Sequence, residues 1–403
     1  MNLHLPQKRN SLIGHFRLPA MILLGAACGA FLASCGQKSP EQVPTLESSN
    51  SKSDDDTIVI LDSKGYVGHE KCRECHEGIH DVETNSPHAR TFARTSDSEI
   101  ADLMCGRSVE ERQPYGTYEY SCDEEGLLVA LPAIFPQRAF PLDFAVGSGE
   151  HAVTFLTLLK NKEGETIGIE HRMTRYTSDD ALDATPGQDD LDPVIDVNLW
   201  GRTIPSEDVQ RCIACHTTTA TLEGSQLIQL TSGIFCERCH GPGEAHVQAA
   251  ENADEALTLS SIRSGWTADE EIRMCGECHR LPDDIAPERL EAYPNSLVRF
   301  QPVGLLQSAC FLESGRTLSC TSCHDPHAPV SSRTEAQQIQ TCLNCHQDQE
   351  QTICPVSPKT NCIECHMPAM DLTRGIKFHD HWIRVRDPDE SLGTGDVPHH
   401  VNP

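Results

Sequence analysis

Apolar positions change character along this chain, and each change predicts a different kind of element. An uncharged run from Leu18 to Ala33 follows Lys8, Arg9 and Arg17. Basic residues before an apolar run are the form of a secretory signal, and the run is short for a stable membrane span. Gln37 to Thr57 is rich in Pro, Ser and Asp without an apolar period, which predicts a disordered tether. Glu119–Ser121, Leu127–Leu131, Ala152–Leu159 and Thr166–Glu170 are short and rich in strand formers. Asn161-Lys-Glu-Gly164 supplies a turn between the last two, so a small β-hairpin subdomain is expected. Six aspartates between Thr177 and Asp192 mark a polar loop. Beyond it the signals turn helical. Ser206-Glu-Asp opens a run into Cys212, Thr267 with Glu270 makes a capping box before Cys275, and Thr334 with Gln337 repeats it before Cys342.

These helix starts lead into one recurring unit, Cys-x-x-Cys-His. It occurs as Cys72, Cys75 and His76; Cys212, Cys215 and His216; Cys236, Cys239 and His240; and Cys275, Cys278 and His279. It recurs as Cys320, Cys323 and His324; Cys342, Cys345 and His346; and Cys362, Cys365 and His366. Two thiols three positions apart can each form a thioether to one vinyl group of a haem, and the adjoining histidine reaches the iron. Zinc ribbons use similar pairs but need no histidine after every second cysteine. A disulfide framework suits adjacent pairs poorly. Seven covalently attached haem c groups are the reading these residues favour.

Composition fits that reading. Hydrophobic residues make up 38% and aromatics 5%, too little for a self-sufficient core in 403 residues, and buried porphyrins would supply the missing apolar surface. The expected fold is therefore mainly α with extensive irregular loops around stacked haems, plus the small β-hairpin subdomain. Its segments are a lipoprotein signal peptide (1–34), a tether (35–57), a first haem segment (58–98), a β-rich insertion (99–190), a six-motif multihaem domain (191–390) and a flexible tail (391–403). Leu32-Ala33-Ser34-Cys35-Gly36 resembles a bacterial lipobox, which implies cleavage before Cys35 and lipidation of its thiol. Gly36 in place of aspartate favours an outer-membrane anchor facing the periplasm. Net charge is −28, which repels nucleic acid and suits redox partners with a cationic docking face. Solubility alone would also explain the acidity. Cys105 and Cys122 are read as a disulfide, which export permits, or as a stray pair of thiols. Cys310 and Cys354 remain, with no pairing that the sequence fixes.

The first motif, entered from Gly68 and followed by Ser86-Pro87-His88-Ala89, resembles the cytochrome c family that accepts electrons from hydroxylamine oxidoreductase. Cys239-His240-Gly-Pro-Gly-Glu-Ala-His246 resembles an element of the same family. The resemblance implies that His88 is an axial ligand; His69 departs from it, standing where the family has a small residue. Ala145-Val-Gly-Ser-Gly-Glu-His151, Ser308 to Arg316, Cys323-His324-Asp-Pro-His327, Cys365-His366-Met-Pro and Phe378-His379-Asp380-His381-Trp-Ile-Arg384 resemble planctomycete-type multihaem proteins with doubled motifs.

Sixth iron ligands separate a carrier from a catalyst, because a second histidine closes the iron and an open position admits substrate. His88, His246, His327 and His381 or His379 lead the candidates, followed by His69, His80 and His151; His171 reads as a strand-surface residue. The favoured function is electron transfer between redox partners through mostly bis-histidine haems. The alternative is an oxidoreductase acting on a small nitrogen or sulfur species at one five-coordinate haem, and a third is a haem-packed docking scaffold. No Cys-x-x-Cys-Lys occurs, which weighs against a nitrite-reductase type of centre.

Overall fold

The computed structural model describes residues 57–188, 191–252, 266–291, 293–346, 354–357, 359–374 and 376–386. The signal, Cys35, most of the tether and the tail 391–403 lie outside the described residues. Thr57, assigned to the tether, instead opens a strand, Thr57–Leu61.

The chain is not mainly α. Sixteen strands form four sheets among the described residues, and the helices between them are short. The strand formers between 100 and 180 were visible locally, but those of the haem-bearing half were not. Thr217–Glu223 carries four threonines and pairs antiparallel with both Gln226–Ser232 and the distant Thr57–Leu61. β-branched residues favour such a pleated, half-buried surface, and the long-range partner is invisible to local turn signals. This sheet occupies ground expected to be helix and loop.

The expected hairpin, Ala152–Lys160 with Thr166–His171, is the middle of a seven-stranded sheet rather than a small addition. Ala152–Lys160 also pairs with Phe144–Val146 and Met173–Tyr176, and Thr166–His171 pairs with Gly201–Ile204. A separate meander runs through Ser108–Glu111, Gly116–Asp123, Gly126–Ala130 and Ala139–Leu142. Along its second strand Tyr118 and Tyr120 are buried while Glu119 and Ser121 are exposed, the period of two that a one-sided sheet requires. A disulfide joins Cys105 to Cys122 on the second strand of this meander.

Two apolar clusters fill this β framework. One packs Tyr118, Tyr120, Val129 and Leu142 against Phe155 and Ile169. The other packs Leu156, Leu158 and Ile204 against Val209 and Ile213 of the helix Ser206–His216. Val209 and Ile213 are four apart, so one helical face is apolar and beds on the sheet. Gly168 makes room for that bedding, since a Cβ there would lie 2.7 Å from Ile204 and 2.9 Å from Val209. The second motif is thereby mounted on a rigid sheet. Beyond residue 266 the apolar clusters are small, such as Ile272 with Leu305 and Phe311.

Candidate haem-binding site

Helices that end at the motif histidine present most motifs. Ser206–His216, Cys236–His240, Ala268–His279, Glu335–His346 and Cys362–His366 all stop there. One helical turn sets the two cysteines on one side, three residues apart, and the chain turns away after the histidine. The first motif differs, because His69–Glu83 is two helical arms that meet at a non-helical His76. The fifth sits on a single 3-10 turn, Cys320–Ser322. Thr267 and Glu270 close a reciprocal capping box ahead of the fourth motif, at 2.7 and 3.3 Å. Thr334 and Gln337 do the same ahead of the sixth. Ser206 is the first helical residue rather than a side-chain cap.

Four motif histidines have a second imidazole opposite. Ring centroids are 6.4 Å apart for His76 and His246, 6.2 Å for His279 and His88, 6.1 Å for His240 and His327, and 6.2 Å for His324 and His381. Imidazole nitrogens bind a metal ion at about 2 Å, so two rings on opposite sides of one ion have centroids about 6 Å apart. Direct ring stacking would bring them closer. The spacing fits an iron between each pair.

The outward nitrogens support this geometry. Nδ1 of His279 lies 3.0 Å from Gln301 Oε1, that of His216 3.2 Å from the Thr91 carbonyl, and that of His366 2.8 Å from the Arg384 carbonyl. His381 Nδ1 lies 2.9 Å from the His379 carbonyl, and His327 Nδ1 3.2 Å from Asp325. Donating through Nδ1 leaves Nε2 as the lone pair that faces a metal. Desolvation holds His216 and His324 below the usual imidazole range and takes His381 down to about 4, so these rings stay neutral, as ligands must. The residues present fit haem c.

Several contacts fix the second imidazoles. Ile234 N donates to the His88 carbonyl at 2.9 Å, and Gly233, at φ 83°, passes so close that a Cβ would meet the Ala89 carbonyl at 2.1 Å. His381 is held from behind by the buried Ser308, whose hydroxyl donates to its carbonyl at 2.7 Å and accepts from Ile383 N at 2.8 Å. Asp380, fully buried, binds Tyr293 at 2.5 Å, Arg384 at 3.0 Å and Arg386. Sequence did not mark Gln301 or the Thr91 and Arg384 carbonyls as partners of the motif histidines, since that role exists only once the chain is folded.

The motifs are also contiguous with one another. Cys72 neighbours Cys236, Cys215 neighbours Cys278, Cys320 neighbours Cys275 and Cys362 neighbours Cys342. Arg238, inside the third motif, pairs with Glu277 of the fourth at 3.2 Å, and Cys323 neighbours Cys342. Every motif therefore borders another, and these links join all seven, branching at the fourth motif.

Other candidates lie elsewhere. His151 is exposed, with its ring 5.2 Å from Phe378. His379 is 2.6 Å from the Met367 carbonyl and lines a cleft of about 530 Å³ with Ile363 and Glu364 of the seventh motif. His69 and His80 face each other. His171 is not on a strand surface: it is fully buried between Tyr120 and the Trp200 carbonyl. Cys310 and Cys354 are not bonded to each other; Cys310 neighbours Cys345.

Comparison with known proteins bears on the same residues. Residues 314–351 match the doubled CXXCH motif family, and residues 198–241 match the family of cytochrome c554 and c-prime. Among solved structures the chain is similar to the outer cell wall cytochrome OcwA, with 15% identity, 80% of each chain covered and a TM-score of 0.48. No curated protein matches. Paired imidazoles at the spacing of an intervening iron, beside Cys-x-x-Cys-His motifs that fall inside both matched segments, make the chain a multihaem c-type cytochrome.

Proposed function

We propose that this protein is an exported, lipid-anchored electron carrier holding seven haem c groups, most of them bis-histidine. Haem iron bound at these motifs supplies one-electron chemistry. The contiguity of the seven motifs carries the reading, because electron transfer asks of a protein only proximity and matched potentials. The chain's own contribution is to hold that proximity. Arg238 with Glu277 ties the third motif to the fourth, and the motif-two helix is bedded on a sheet by Val209 and Ile213. Facing imidazoles at four motifs favour closed irons, which pass electrons without admitting substrate. Export follows from the basic-then-apolar leader, and anchoring from the lipobox at Cys35. With a net charge of −28 the partners are redox proteins that present cationic faces.

The test is intact mass and a haem count on the purified protein, followed by EPR of the oxidised form. Seven attached macrocycles and low-spin signals indifferent to nitrite and hydroxylamine are expected. A high-spin ferric signal that moves with either compound would replace the carrier by an oxidoreductase acting at an open iron.

A further inference from the structure

His69 and His80 sit on opposite arms of the first-motif helix, and the bend at His76 folds them together. His69 Nδ1 lies 3.0 Å from His80 Nε2. Glu70 Oε1 completes a triangle at 3.8 Å from the first nitrogen and 3.6 Å from the second. We propose that these three residues form a mononuclear site for a divalent transition-metal ion, distinct from the haem irons.

The distances separate this pair from the haem-facing ones. Rings on opposite sides of an ion hold their nitrogens about 4 Å apart, given bonds of about 2 Å. Two adjacent ligands of one tetrahedral ion are instead about 3.3 Å apart at the same bond length. The 3.0 Å separation belongs to the second geometry, as does a centroid distance of 5.2 Å against 6.1 to 6.4 Å for the four haem-facing pairs. His69 and His80 are too close to ligate one haem from its two faces and well placed to bind one small ion from the same side. Glu70 is solvent-exposed, so its carboxylate can close the remaining few tenths of an ångström without disturbing the fold.

The surroundings are those of a built site. His80 is only 5% exposed and its Nδ1 makes no hydrogen bond within the protein, yet the Asp81 carboxylate lies 3.6 Å away. A carboxylate behind the outer ring nitrogen is the usual companion of a metal-bound histidine. The His69 ring lies flat against Phe235 at 3.9 Å and 6°, which fixes its plane. Two imidazoles and one carboxylate suit a borderline ion such as Zn2+ or Cu2+ better than the oxygen-seeking Ca2+ or Mg2+. Position gives the site its role. Residues 69 and 80 flank Cys72, Cys75 and His76, so a bound ion clamps together the two arms that present the first motif.

The experiment uses the full holoprotein, treated with chelator and titrated with Zn2+ at pH 7.5 by calorimetry and elemental analysis. One Zn2+ per chain is expected, together with a rise in melting temperature on loading. Glu70→Gln, at an exposed position that leaves the fold intact, should weaken binding at least tenfold and abolish the melting shift. His69→Gln and His80→Gln should each remove the equivalent while the low-spin EPR signals stay unchanged. Failure of the wild-type protein to bind, or equal binding by wild type and Glu70→Gln, would overturn the site. Conversion of a low-spin haem to high spin in His80→Gln would overturn it too, by making His80 a haem ligand. The haem count and the carrier reading stand or fall separately, because Zn2+ stoichiometry is read beside the iron content.

Discussion

The imidazole of His88 faces that of His279 at 6.2 Å with their planes 72° apart, whereas His240 and His327 lie nearly parallel at 7°. If each pair holds one iron, as proposed, crossed planes would leave its π-bonding orbitals close in energy and parallel planes would split them, so the two centres should give different low-spin EPR signals. His88→Ala should convert one low-spin centre to high spin and remove the more anisotropic signal, with the remaining signals in place. Loss of a signal from the parallel class instead would mean that His88 serves another iron.

Asp380 offers a test one step removed from the metal. Its buried carboxylate accepts from Tyr293, Arg384, Arg386 and the Trp382 amide, and so fixes the segment that carries His381 opposite His324. Asp380→Asn strips the charge between two arginines that are themselves mostly buried, a loss of about 3–5 kcal/mol for a broken buried pair. The expected readout is a high-spin or labile fraction at one centre, with all haem attachments still present by mass. An unchanged spectrum would show that Ser308 holds His381 in place without Asp380.

Much of the site was legible because its chemistry is local: five consecutive residues make an attachment motif, and four make a capping box. Which imidazole stands opposite which motif was not, because His246 reaches back to His76 and His381 to His324 across long stretches of chain. The mainly α expectation failed for a related reason. Short helices announce themselves through caps, but Thr217–Glu223 becomes a central strand only by pairing with Thr57–Leu61, beyond any local window. His69 and His80 entered as candidates for iron and turned up against each other, brought there by a bend at His76 that no residue type in the helix announces.

The leader makes its own prediction. If Cys35 is the lipidated residue, Cys35→Ser should move the protein from the membrane fraction to the soluble exported fraction without changing its haem count. Retention in the membrane fraction would exclude lipidation at Cys35 as the anchor.

The disulfide between Cys105 and Cys122 closes a loop with a sequence separation of 17. Chain-entropy arguments give about 3 kcal/mol for a loop of this length. The double variant Cys105→Ser with Cys122→Ser should therefore lower the protection of meander amides against hydrogen exchange by about a hundredfold. Signals from the haem centres should not move, because the bond touches no motif. Equal protection in both proteins would show that Tyr118, Tyr120 and their neighbours already hold the meander closed.

His171 sets a pH dependence on the β framework. Complete burial takes its pKa down to about 4 from an ordinary 6.5. The neutral ring satisfies both nitrogens, Nδ1–H donating to the Trp200 carbonyl at 2.9 Å and Nε2 accepting from the Tyr120 hydroxyl at 2.8 Å. Above about pH 6.5 the ring is neutral folded or unfolded, and the protonation balance costs nothing. Between 6.5 and about 4 the unfolded chain takes up a proton that the folded one refuses, so stability falls with pH, by about 3 kcal/mol over the whole window. Below about 4 both states are charged and the loss stops growing. Hydrogen exchange of the strands Gly116–Asp123 and Thr166–His171 reads this directly, since their amides report opening of the two sheets that the Tyr120–His171 contact joins. The wild-type protein should lose protection steadily from pH 6.5 to 4, and His171→Gln should flatten that slope while starting from lower protection at neutral pH. Parallel slopes in the two proteins would assign the acid sensitivity to the carboxylates instead of to this one buried ring.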